Sequence, residues 1–319
     1  MMKKIFRILL KTFGVIVIAI GVFLAFGFTV NLISGKLEKG KIEAYGQLVP
    51  VDGKNMNVVI QGQGEETVVL LPGYSTGAPG IDFKPLIEEL SPYYKVVVIE
   101  PFGYGLSDVT KKERSVENIV KEIHDCLQQL NIDRYILMGH SIAGIYGLEY
   151  VNQYENEVSA FVGIDSSLPT QEGMDDEFPA TTYRVLEKLG FFRLAYKLDP
   201  DQLMPPNIDE KTKEQVRMIS LKNMMNPSVI DEGENFESNS IATRDLKFPK
   251  NLPVYFFLVE NETEMEGWRE LHEDQIKDSV YGEVMEFEGD HYLHHTKSKE
   301  IVENFRRLME DVEQDKSIM

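Results

Sequence analysis

The chain has one cysteine, Cys126, among its 319 residues, so no disulfide can form within it. That cysteine lies in the helical pattern Val120 to Leu130, away from any base motif, and reads as a buried thiol. An extracytoplasmic location would have to be sustained by the core alone. Basic charge is also scarce, with 33 Lys and Arg against 52 Asp and Glu and a net charge of −19. Residues 1–44 hold seven of the basic residues and two of the acidic ones, which leaves 26 basic and 50 acidic residues beyond them, a net of −24. That excess argues against nucleic acid or anionic lipid headgroups as ligands of the larger part of the chain. No internal repeat, low-complexity tract or H-E-x-x-H motif occurs. With 43% hydrophobic and 27% charged residues, the composition is that of an ordinary globular enzyme with a large core.

One apolar run stands out. Phe13 to Val30 carries no charge and a single hydroxyl, Thr29. As a helix, Thr12 to Ile33 reaches ~33 Å at ~1.5 Å per residue, enough for a hydrocarbon core of about 30 Å. A signal peptide is the competing reading, but the run is long for one, and Phe28-Thr29-Val30-Asn31-Leu32 offers no small-x-small cleavage site. We therefore expect a basic flank over 1–11 and a transmembrane anchor over 12–33. Lys3, Lys4, Arg7 and Lys11 precede the run and favour a cytoplasmic N-terminus with the rest of the chain outside, a signal weakened by Lys36, Lys39 and Lys41.

The chemistry centres on Gly139-His140-Ser141-Ile142-Ala143-Gly144. Tyr135-Ile136-Leu137-Met138 before it reads as a buried strand, and Ile145 to Val151 after it has the apolar spacing of a helix. A serine on so tight a strand-to-helix turn, with Gly139 and Ala143 two residues either side, has the form of a nucleophile elbow. Larger flanking side chains would push strand and helix apart. The turn lifts the Ser141 hydroxyl clear of the sheet and puts the Ile142 amide at a helix N-terminus, where it can stabilise an oxyanion. An ordinary Gly-Ser turn is the alternative.

Two further strand ends extend the pattern. Thr67 to Leu71 runs into Pro72-Gly73-Tyr74-Ser75, and Val96 to Ile99 runs into Glu100-Pro101-Phe102-Gly103-Tyr104-Gly105-Leu106-Ser107. With these three motifs in this order, residues 45–315 resemble the alpha/beta-hydrolase superfamily. The family's His-Gly-X and Asp-x-x-Gly-x-Gly-x-Ser are here changed at Pro72 and Glu100. Neither change touches the chemistry, since the oxyanion donor at Tyr74 is a backbone amide. The resemblance implies an α/β fold, a mostly parallel sheet flanked by helices, with a helical cap between strands six and seven.

The family's chain order is Ser, acid, His. Glu283 to Phe287 alternates like a half-buried strand, and Glu288-Gly289-Asp290-His291 follows, so His291 is the expected base. His294 and His295 lie nearer the helix expected from Lys297 to Leu308 and are expected to pack or face solvent; His124, His140 and His272 read as structural. His291, His295 and Asp290 have a spacing that would hold zinc on a helix, but no further ligand supports it, and no metal or cofactor is expected. The resemblance places the acid just after the strand Pro253 to Leu258, where counting reaches Glu262. Asp165, at the end of the preceding strand, is the second candidate, with turn formation as its bland alternative, and Glu260 is the third.

Glu43 to Pro50 and Met56 to Gln61 read as an opening hairpin, after which strands and helices alternate to Ile164. The alternation lapses over about 168–251, where helical stretches are expected at Thr181–Leu198, Asp209–Met225 and Pro227–Asn235. A cap is expected there, inside a hydrolase domain over 45–319. Its five methionines, with Phe191, Phe192 and Tyr196, suit an apolar acyl substrate, or serve only to hold the cap together. The expected activity is that of a membrane-anchored serine esterase: Ser141 attacks, His291 shuttles the proton, and the amides of Tyr74 and Ile142 hold the oxyanion. Serine at the elbow speaks against dehalogenase and epoxide-hydrolase chemistry, and Gly139-His140-Ser141-Ile142 lacks the Gly-Gly-Ser-Trp of proline iminopeptidases. Peptidase, amidase or acyltransferase action is the alternative among enzymes, and a non-catalytic surface binding protein is the alternative outside them.

Overall fold

Apolar runs that are buried on both faces build the sheet. In β3 (Thr67–Leu71) Val69 and Leu71 enter one hydrophobic cluster, while Val68 and Leu70 enter a second on the opposite face. β4 (Lys95–Glu100), β5 (Tyr135–His140), β6 (Val158–Ile164) and β7 (Val254–Val259) divide their side chains in the same way. Such runs lack polar alternation because helices cover both sides. In this computed structural model all residues are described except Met1, Gln202, Leu203, 261–264, Glu266 and Met319, and the side chains of 316–318 are also outside the description.

Among the described residues eight strands form one sheet in the order β1-β2-β4-β3-β5-β6-β7-β8. β1 (Gln47–Val51) and β2 (Lys54–Gln61) make the expected hairpin, and β2 runs antiparallel to β4. From β4 through to β8 (Gly282–Phe287) every pairing is parallel. One face is covered by α4 (Val116–Gln129) and α5 (Ala143–Gln153), through residues such as Ile119, Ile123, Leu127 and Leu148. The other face takes Leu86 and Leu90 of α3 (Lys84–Leu90), with Ile301 and Phe305 of α13 (Ser298–Ile318). α2 (Pro79–Asp82), α11 (Trp268–Ile276) and α12 (Leu293–Thr296) are short elements that matter for the site. Cys126 is buried in α4, and burial pushes its thiol up to about 12.

Among the described residues five helices lie between β6 and β7. The stretch Thr181–Leu198 is two helices rather than one, α6 (Ala180–Lys188) and α7 (Phe191–Leu198), because Gly190 adopts φ +79° between them. α8 (Glu210–Asn223) starts where Asp209 accepts a bond from the Thr212 amide, 3.0 Å. α9 (Pro227–Glu234) is capped by Asn226. α10 (Phe236–Thr243) has no counterpart in the sequence reading. Its apolar periodicity is weak, and polar contacts hold it: Asn239 accepts from the Val116 amide, and Ser240 donates to the Pro169 carbonyl.

The chain divides into two units, Met1–Ile42 with Pro179–Gln202, and Glu43–Phe178 with Leu203–Met319. The second contains the sheet. The first consists of α1 (Met2–Lys39), a single continuous helix with a long apolar stretch, together with α6 and α7.

Candidate active site

Strand register decides which loops are neighbours. Leu71 pairs with Gly139, Gly139 with Gly163, and Ile164 with Phe257. The segments beginning at Pro72, Ser141, Asp165 and Glu260 therefore leave the same edge of the sheet. This is the carboxyl edge, where open α/β sheets carry their ligand sites.

Ser141 sits between β5 and α5 with φ +54°, a left-handed conformation that only a tightly determined turn imposes on a serine. A Cβ on Gly139 would come within about 3.0 Å of Ala143, and one on Gly144 would collide with the Ser167 carbonyl at 2.3 Å. The small residues flanking Ser141 are thus required by contact between strand, turn and helix. The Ser141 carbonyl accepts from Gly144 and Ser167, 2.9 and 2.7 Å. Ile142 is the N-cap residue of α5. A Cβ on Gly73 would lie 3.1 Å from the Ser141 Cβ, which puts the Gly73-Tyr74 loop directly against the serine. That loop is held from beyond β6. Tyr74 donates its hydroxyl to the Val229 carbonyl, 2.8 Å, and packs edge-on against Phe236. The Ser75 amide donates to the Tyr104 hydroxyl, which in turn donates to Glu232, 3.0 and 2.8 Å.

His291 follows β8, and its Nδ1 lies 2.6 Å from Oδ2 of Asp165. A carboxylate can only accept here, so Nδ1 carries the proton and Nε2 is left as the basic nitrogen. The other oxygen of Asp165 accepts from the Val259 amide at 3.2 Å and the Trp268 indole at 3.0 Å. Asp165 is only 3% exposed and has φ +40°, so the Val259 amide and the Trp268 indole aim a buried carboxylate at the imidazole. Its neighbour Ser166 is pinned by His272, which lies 2.9 Å from the Ser166 carbonyl. Glu260 is exposed just past β7, and Glu262 lies outside the described residues.

The segment carrying His291 is fastened from beneath. The Nε2–H of His140 donates to the His291 carbonyl, 2.9 Å. Burial, with His294 and His291 close by, holds His140 well below the usual imidazole range, so it is a neutral donor. His294 and His295 both bind the carboxylate of Asp82 in α2, at 2.8 and 2.9 Å. Both are buried, so of the two expectations for them packing holds and solvent exposure does not. Burial alone would raise Asp82, but the two imidazoles outweigh it and keep this group below the ordinary carboxylate range. His124 stacks on Tyr154.

Asp82, His294 and His295 also have the donor set of a metal site. Hydrogen bonding accounts for their distances, however, and a metal-bound imidazole normally donates its other N–H to an acceptor. Nδ1 of His294 has no such partner among the described residues. Asp290, paired with His291 and His295 in the zinc reading, instead accepts from the Tyr292 amide. Trp268 and Asp82 support the site without any expectation of it, and His140, expected to be structural, supports it as well. Trp268 had one signal, as the sole tryptophan of the chain, while the contacts of the other two depend on tertiary structure alone.

A family model for the alpha/beta hydrolase fold matches residues 66–198. The uncharacterized protein YbdG of Bacillus subtilis (strain 168) is 29% identical over 267 residues, 79% of this chain and 80% of its own. Other curated relatives align over only about a third of their own length. Among solved structures, a mutant epoxide hydrolase from Bacillus megaterium superposes with TM-score 0.63 at 19% identity, covering 83% of this chain and all of that one. A membrane phospholipase A described as a bacterial virulence factor superposes with TM-score 0.61 at 15% identity, covering 96% and 99%. At such identities the superpositions establish the fold alone.

Proposed function

Since this chain belongs to the alpha/beta-hydrolase fold superfamily, we propose that it is a serine hydrolase acting on carboxylic esters, with Ser141, His291 and Asp165 as its triad. The observation that carries this reading is the Asp165–His291 bond at 2.6 Å at the same sheet edge as a serine held in a left-handed turn. His291 accepts the proton of Ser141 as the hydroxyl attacks the ester carbonyl, then passes it to the leaving alkoxide. Water repeats the cycle on the acyl-enzyme. The amides of Tyr74 and Ile142 take the oxyanion, each worth roughly 3–4 kcal/mol in sites of this type. The activity of the epoxide hydrolase among the structural neighbours does not carry over to this chain. Opening an epoxide through a covalent ester requires a carboxylate at the elbow, and here a hydroxyl stands in its place.

The reading extends to the rest of the chain. The helices between β6 and β7 serve as a cap, and α1 is a transmembrane anchor with its N-terminus cytoplasmic and the hydrolase unit outside. A fluorophosphonate probe, followed by p-nitrophenyl esters of rising chain length with an aminoacyl amide alongside, tests the activity. Stoichiometric labelling of Ser141 and faster turnover of esters than of the amide are expected. Labelling that survives Ser141→Ala would overturn the assignment.

A further inference from the structure

The α6–α7 hairpin is built against α1 through contacts of the kind that helices make in lipid. A Cβ on Gly27 would lie 2.5 Å from the Leu189 carbonyl, and one on Gly190 would lie 2.9 Å from the Gly27 carbonyl. Two glycines thus bring the backbones into direct contact, as small residues do between helices in a membrane. Asn31 is the one carboxamide in the uncharged stretch from Thr12 to Gly35. Its Nδ2 donates to the Glu187 carbonyl at 2.8 Å, and its Oδ1 accepts from Arg193 at 3.3 Å. In hydrocarbon a polar side chain needs such a partner, because no water can supply one. Arg193 then forks onto both oxygens of Glu38 at 2.6 and 2.8 Å, just past the apolar stretch.

These contacts fix the depth of the hairpin along α1. Arg193 reaches the level of Glu38, Gly190 that of Gly27, and Phe191 packs edge-on against Phe23 with ring centres 6.4 Å apart. At ~1.5 Å per residue Phe23 lies about 20 Å inward of Lys36, near the middle of a ~30 Å hydrocarbon layer. The tip at this depth reads Leu189-Gly190-Phe191-Phe192, and the cations Lys188, Arg193 and Lys197 follow the pattern of side chains that extend back toward headgroups. Nothing in α7 is buried, and Leu194 and Leu198 are 38% and 78% exposed on its apolar stripe. A cleft of about 180 Å³ runs between the two elements, lined by Phe23, Phe26, Val30, Leu189, Phe191 and Leu194.

We propose that the α6–α7 hairpin is a second membrane-embedded element, its stripe and cleft filled by phospholipid acyl chains, and that Ser141 takes lipid esters from that leaflet. This rests on the anchored-esterase reading. The hairpin is spliced into the chain between the Asp165 strand end and α8, so the insert that follows the triad acid would itself sit among the lipids. The net charge of −24 beyond residue 44 directs the test to zwitterionic phosphatidylcholine.

The full chain is reconstituted in phosphatidylcholine vesicles with Phe192→Trp as a depth reporter, and the unsubstituted protein corrects for Trp268. Lipids brominated at mid-chain should quench the added fluorescence by about half or more. An unquenched signal overturns the proposal, whether or not the protein hydrolyses anything. In a second arm, Leu194→Asp with Leu198→Asp should lower phospholipid hydrolysis in vesicles at least about tenfold, while soluble p-nitrophenyl butyrate turnover stays within about twofold. Equal losses on both substrates, or none on either, overturn the lipid-substrate half. Absence of all hydrolysis and of fluorophosphonate labelling refutes the esterase reading and the lipid-substrate half with it, leaving the quenching result to decide on insertion.

Discussion

Every side chain of β5 and β7 is buried, whereas α1 and α7 bury none. The sheet makes its own apolar solvent: two helical layers cover it, and the groups at its edge are held by bonds formed inside the protein. The other region shows the reverse. Phe13, Phe26 and Leu198 are each more than 60% exposed, and an apolar side chain left in water forgoes about 1.5–3 kcal/mol of burial. Its polar contacts are nonetheless closed, with Asn31, Arg193 and Glu38 satisfied by one another and by backbone. Closed polar contacts beside an open apolar surface are what lipid requires and water penalises. Substitutions at the sheet edge should therefore cost chemistry at little cost in location, and substitutions in the hairpin should do the opposite.

The largest effect at the sheet edge belongs to Ser141→Ala, which should lower kcat by about five to six orders of magnitude. Its melting temperature should match that of the parent, since alanine fits the same small turn. Asp165→Asn comes next, at about 10⁴-fold in kcat. An amide has the shape of the acid but neither fixes the Nδ1–H tautomer of His291 nor stabilises the imidazolium. Glu262→Gln and Glu260→Gln, made separately, should keep activity within about twofold. Were Glu262→Gln inactive and Asp165→Asn active, Asp165 would be a structural carboxylate and the proposed triad would be incorrect.

The legible parts of this molecule are those fixed by short-range rules. β3, β5, β6 and β7 are visible because burial on both faces forces unbroken apolar runs. The position of Ser141 is visible because the turn's sterics demand small residues within two positions. The acid is different. Glu262, Glu260 and Asp165 all follow a strand end, and a choice among them needs to know that Trp268 and the Val259 amide converge on one carboxylate. Those contacts join residues about a hundred positions apart, so no local pattern carries them. The break in the Thr181–Leu198 helix is an intermediate case. Gly190 stands in plain view, but an isolated glycine costs a helix only ~1 kcal/mol, too little to decide between a tolerated residue and a turn. The polar hold on α10 leaves no periodic trace at all.

A smaller effect separates the triad from its support. Trp268→Phe keeps an aromatic ring but removes one of the two donors to Oδ1 of Asp165 among the described residues. A hydrogen bond to a charged acceptor is worth about 1.5–3 kcal/mol, and part of this is recovered by the remaining Val259 amide. We expect kcat to fall about tenfold with KM nearly unchanged, because the indole acts through Asp165 rather than on substrate. A rise in KM at constant kcat would instead make Trp268 part of the binding surface.

The smallest predicted effect is a slope in stability against pH. His140 and His294 are fully buried, and burial holds both below the ordinary imidazole value of 6.5, against the pull of Asp82. In the unfolded chain both titrate near that ordinary value. As pH falls through it, the unfolded state takes up protons that the folded state refuses, so stability is fully present above about pH 7 and drains away below. Asp82 adds to the loss only in stronger acid, because its folded value lies below 3.8. Below about pH 6.5 these two histidines and His272, which burial also holds low, drain stability, while the carboxyls of Glu100 and Glu232, which burial holds high, offset part of the loss. His140→Gln removes one of the histidines while its amide can still donate to the His291 carbonyl. Calorimetry between pH 7.5 and 5.5 should show the parent losing several degrees of Tm, and the variant distinctly less. The variant should start lower, since glutamine fills the space between Gly73 and His294 less well. Identical slopes for the two proteins would mean that His140 takes up its proton as readily in the folded state as in the unfolded one, and burial would not be holding it neutral.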